Sequence, residues 1–63
     1  MSFATNLKRL MTEQRVTVAQ LAEDLGTSTV SVQHWRNGRW EPKMSRAVKL
    51  AKRLKTTVEA LAE

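Results

Sequence analysis

The feature that most constrains this chain is a break in helical phase at Gly26. Before it, Leu21, Ala22 and Leu25 recur at the spacing of one helix face, and after it Val32 and Trp35 restart that phase. Two short amphipathic helices around a tight turn satisfy this pattern. Thr17 and Gln20 form a capping box that starts the first of them at Val18. Gly26 takes the left-handed conformation that stops it, at least steric cost. Thr27 is read as the N-cap of the next helix, which then runs from Ser28 to about Arg36 and is closed by Asn37 and Gly38. Ala22 is small enough to let the two helices cross closely.

With Val32 and Trp35 turned inward, the other side of this helix carries Ser28, Thr29, Val30, Gln33, His34 and Asn37. That face is uncharged yet rich in hydrogen-bonding groups, whereas the outward faces elsewhere in the chain carry Lys and Glu. Such a helix suits the DNA major groove, whose base edges offer donors, acceptors and the thymine methyl.

The flanking segments read as supports. Phe3, Leu7, Leu10 and Met11 mark one face of a first helix that Ser2 caps and that reaches about Gln14. Arg15 and Val16 link it to Thr17. After Gly38, the run RWEPKM reads as a loop, because Pro42 lacks a donor and turns Glu41 away from helix. Within it Trp40 has two readings, a lid on the edge of the core or a contact to a dimer partner or DNA. Ser45 is read as the cap of a fourth helix with an apolar stripe of Ala47, Val48, Leu50, Ala51 and Leu54. Thr56 with Glu59 reads as a capping box for a last short helix bearing Val58 and Leu61. With no repeat and no linker, residues 1–63 make a single domain.

The run TVAQLAEDLG followed by a polar helix ending in HWRNG resembles the helix-turn-helix of the phage repressor and Cro family. The likeness extends from Leu7 through RLKTTVEALA near the end. It implies an all-α fold, a compact five-helix bundle of the lambda-repressor type whose third helix lies in the major groove. Carried over by position, Thr29, Val30, Gln33 and His34 would face the bases. Val16 would plug the bundle as the family's apolar residue does. The family's customary polar residue at the start of the second helix is Val18 here. Its Arg at position 11, paired with a Glu at position 36, is replaced by Met11 and Arg36, which leaves Arg36 to approach a phosphate. The Gly that commonly ends its fourth helix is Lys55, so that corner is expected to be built differently, since a positive φ costs a Lys energy.

The net charge of +5 favours an anionic partner, and its placement says more than its sum. From Arg36 to Lys55, Arg36, Arg39, Lys43, Arg46, Lys49, Lys52, Arg53 and Lys55 stand against Glu41 alone. Arg39 and Lys43 are the first choices for phosphate contact, with Arg46 and Lys49 next. Ser28 and Asn37, at the ends of the helix, and Arg36 join that set. The bland reading makes half of the basic run a solvated face. If about five phosphates are met per monomer, log affinity should fall with log salt at a slope of about −4 to −5.

Other chemistries find little support. There is no Cys, and His34 is the sole histidine, so neither a disulfide nor a multi-histidine metal site is expected, and no cofactor. Glu23 and Asp24 are adjacent and point apart on a helix. Ser31 and His34 lie three apart, but no acid orients them and no oxyanion loop accompanies them. No run approaches the ~20 apolar residues of a membrane span.

These readings converge on a transcriptional regulator rather than an enzyme, a Cro-like repressor reading a palindromic operator in double-stranded DNA. A homodimer is expected, forming at the latest on DNA, in the cytoplasm of a bacterial host and associated with its nucleoid. Membranes and small-molecule substrates are not expected partners. A protein-interaction module such as an antitoxin, using Val30, His34 and Trp40, is the alternative. The chain could also be the DNA-binding head of a longer repressor, or engineered.

Overall fold

Three corners of one design join the helices. In a computed structural model, which describes residues 2–63, the order is α1 (Phe3–Gln14), α2 (Val18–Leu25), α3 (Thr29–Asn37), α4 (Met44–Arg53) and α5 (Val58–Ala62). After α1, α2 and α4 a residue with positive φ reverses the chain: Arg15 at 56°, Gly26 at 66° and Lys55 at 58°. The next amide then bonds five residues back, Val16 to Met11 O at 2.9 Å, Thr27 to Ala22 O at 2.9 Å and Thr56 to Ala51 O at 2.8 Å. The residue after that is the N-cap: Thr17, Ser28 or Thr57.

This geometry corrects two caps. Thr27 and Thr56 have their amides committed to the preceding helix, so the capping hydroxyls are those of Ser28, accepting from Ser31 N, and Thr57, accepting from Ala60 N. Accordingly α3 starts at Thr29 and ends at Asn37, with Gly38 as its left-handed cap. Glu59 falls in the first turn of α5, one place short of a capping box. Lys55 also departs from expectation, since its corner takes the left-handed form that a Gly would supply.

Ser45 does not cap α4. Lys43, extended after Pro42, is the N-cap and makes no side-chain cap bond, while Ser45 lies inside the helix. Two other contacts hold that first turn: Ala47 is buried, and Arg46 donates from Nη1 to Leu25 O and from Nη2 to Gly26 O at 3.4 Å. The α4 stripe is also narrower than its sequence suggests. Ala47, Leu50, Ala51 and Leu54 are buried, but Val48 is 38% exposed, on the same outer side as Met44.

Phe3, Leu7, Met11, Val16, Leu21, Leu25, Val32, Trp35, Leu50, Leu54 and Leu61 form one core with Ala22 and Ala51. Around it α1 packs on α3 and α5, α2 on α3 and α4, and α4 on α5. Val16 is a core residue, as expected, and Met11 is buried where an ion pair was absent from the sequence. Among the described residues, Asn6 is the polar residue buried in this interior. Asn6 Nδ2 donates to Ala60 O at 3.3 Å and to Leu61 O at 2.8 Å, fastening α1 to α5. Gln14 Nε2 reaches Leu54 O at 2.6 Å and fastens the other end of α1 to α4. Among the described residues there is no strand, and no helix is long and apolar enough to cross a membrane.

Candidate nucleic-acid interface

The candidate site is one face of α3. Val32 and Trp35 are 0% and 4% exposed, so the helix is anchored by its inner side while Thr29, Val30, Gln33 and Asn37 stand in solvent. Val30 is 55% exposed and does not belong to the core. The two helices of the turn approach closely because Ala22 is buried between larger neighbours at 2% exposure. Thr29, Val30 and Gln33 therefore share an open, uncharged surface.

His34 is the exception on that face. It is half-buried, and what covers it is Trp40, whose ring centroid lies 4.0 Å away at an interplanar angle of 39°. Trp40 itself is 51% exposed and lines two clefts with the buried Trp35. The sequence held a signal for this contact in Gly38, since a left-handed cap there folds the chain back along α3 toward His34.

The expected phosphate-contacting residues have separate surroundings. Arg39 and Lys43 are exposed on the segment that leaves α3. Lys43, Arg46 and Lys49 share a cleft of about 630 Å³ with Thr27 and Ser31 of the helix-turn-helix, so the start of α4 faces the turn across that cleft while packing on α2. Arg46 is partly engaged there by the carbonyls at the end of α2. The Ser28 hydroxyl caps α3 and also bonds Ser31 Oγ at 3.2 Å. Arg36 turns toward α1, lining a second cleft of about 520 Å³ with Lys8 and Asn37, and its Nε is buried without a hydrogen-bond partner. The basic run is thus divided, and Arg53 leaves it altogether by pairing with Asp24 at 2.5 Å.

Comparison with known proteins adds three findings. A family model described as helix-turn-helix matches residues 7–61. No curated protein matches the chain. Among solved structures, hydroxypropylphosphonic acid epoxidase from S. wedmorenis is similar at 31% identity with a TM-score of 0.86, over 97% of this chain and 32% of that one. A cobalt(II) form of HppE with Tris buffer is similar at 30% identity and a TM-score of 0.88, over 98% of this chain and 35% of that one. The chain spans about a third of the length of the solved structures it matches.

Proposed function

Since this chain belongs to the helix-turn-helix family, we propose that it reads double-stranded DNA in a sequence-dependent way and regulates transcription as a repressor of the Cro type. The observation that carries this reading is the open α3 face of Thr29, Val30 and Gln33, uncharged and braced from behind by Val32 and Trp35. Gln33 can bond an adenine edge, and Thr29 and Val30 can meet thymine methyls. Arg39 and Lys43 supply the sequence-independent attraction to phosphate, followed by Lys49 and Arg36. Arg46, bonded to α2, chiefly fixes the start of α4 against the turn. One such helix reads only a few base pairs, so a two-fold dimer on a palindrome follows, with half-sites about one helical turn apart. The protein acts on the nucleoid, in the cytoplasm.

Selection from a pool of random duplexes, followed by sequencing, tests this. Recovery of a palindromic site is the expected result. Recovery of a pool without any sequence preference, at moderate salt, would refute it.

A second reading draws on the solved structures, in which a bundle of this shape occupies about a third of chains that include an epoxidase. Here the domain would serve a larger protein as an interaction module, with the exposed Val30 and Trp40 meeting protein instead of DNA. That reading predicts duplex binding that is weak and indifferent to sequence.

A further inference from the structure

We propose that Trp40 is a positioning residue for sequence reading, holding the His34 imidazole in place so that discrimination at the base step opposite His34 depends on a side chain outside α3. This inference rests on the DNA-reading function proposed above. His34 lies on the outer face of α3, where its neighbours Val30 and Gln33 are exposed, yet His34 is half-buried. The indole of Trp40 packs against the imidazole there, with ring centroids 4.0 Å apart and the planes tilted by 39°.

The backbone delivers Trp40 to that position. Gly38 adopts φ 79°, its amide bonds Trp35 O at 3.4 Å, and the Arg39 amide bonds His34 O at 3.0 Å. The chain is thereby folded back onto the turn of α3 that carries His34. On the far side, Pro42 biases the residue before it, Glu41, toward extended conformations, which carries the chain away from α3 after Trp40. The indole is 51% exposed and stands outside the buried core, in ring contact with His34. An imidazole held against the indole has fewer rotamers to lose when it meets a base edge. Ordering one free side chain at an interface corresponds to about 3- to 10-fold in affinity, and pre-ordering avoids that loss.

The test compares wild type, His34→Ala, Trp40→Ala, Trp40→Phe and the double alanine variant by selection from random duplexes and by affinity for single-base variants of the selected site. His34→Ala should flatten the preference at one base step per half-site. Trp40→Ala should reduce discrimination at that same step by about 3- to 10-fold and leave the other steps intact. Trp40→Phe should restore it, and the double variant should be no worse than His34→Ala. In the free protein, the His34 ring protons should lose their ring-current shift in Trp40→Ala and keep much of it in Trp40→Phe. The proposal is overturned if Trp40→Ala spares the His34-dependent step, if it weakens all steps alike, if His34→Ala alters none, or if the His34 ring signals do not move. A wild-type protein without sequence preference would instead remove the DNA-reading function itself, and the proposal with it.

Discussion

The Thr27 amide closes on Ala22 O at 2.9 Å, and this bond decides which hydroxyl begins α3. A residue whose N–H completes the end of one helix is held one place too early to cap the next, so Ser28 does so. Ser28→Ala should therefore cost about 1 kcal/mol, and Thr27→Ala should stay within about 0.5 kcal/mol of wild type. The same contrast should hold between Thr57→Ala and Thr56→Ala, because their corner is built alike. Urea unfolding of the four variants checks both pairs, and equal losses at Thr27 and Ser28 would contradict the assignment.

Lys55 bears a left-handed backbone at φ 58°, in a geometry that Gly26 fills without penalty at 66°. A non-Gly residue there costs about 1–2 kcal/mol, partly offset by the greater freedom glycine has in the unfolded chain. Lys55→Gly should thus stabilise the domain by about 0.5–1 kcal/mol, and Arg15→Gly should act in the same direction. Gly26→Ala should destabilise by about 1 kcal/mol from backbone strain, since an added Cβ would meet Arg46 only at an ordinary 3.9 Å. Thermal unfolding reads all three.

Asn6 is 3% exposed, and its amide holds the carbonyls of Ala60 and Leu61. Asn6→Ala leaves the Leu61 carbonyl without this donor and should cost about 1–3 kcal/mol. In a domain of this size each kcal/mol lowers Tm by about 4–8 °C. Because α5 is only five residues long, hydrogen exchange should accelerate first in α5.

Arg39, Lys43 and Arg36 separate by salt dependence. Removal of one phosphate contact lowers the salt slope by about 0.9, with a similar loss of affinity for every sequence. Arg39→Ala and Lys43→Ala should each show this. Arg36→Ala should follow only if the side chain leaves the cleft beside α1, and an unchanged slope would assign it to packing there. Arg46→Ala should instead lower thermal stability, through loss of its bonds to Leu25 and Gly26.

How far the fold was legible follows from which bonds are local. Thr17 and Gln20 announce their cap by themselves, and the buried phase of α3 is plain from Val32 and Trp35. Thr27 and Thr56 mislead because either of two adjacent hydroxyl residues could cap, and only the bond to the previous helix chooses between them. Arg15 and Lys55 enter the left-handed region because the packing of the helices on either side demands a corner there, which no preference of Arg or Lys reveals. Asn6 resembles a surface residue of α1 until α5, fifty-five positions away at Leu61, covers it. At the site, the exposure of Thr29, Val30 and Gln33 follows from helical phase alone. The covering of His34 does not, because Trp40 arrives from the loop.

The proposed function requires α3 to be the face that meets DNA. The most direct measurement is a titration of the ¹⁵N-labelled protein with the selected duplex, following each backbone amide. The largest shifts should fall on Thr29 to Asn37 and on Arg39 to Lys43, with α5 and the outer face of α1 quiet. Shifts centred on α1 or α5, with the Thr29, Val30 and Gln33 amides unmoved, would contradict it.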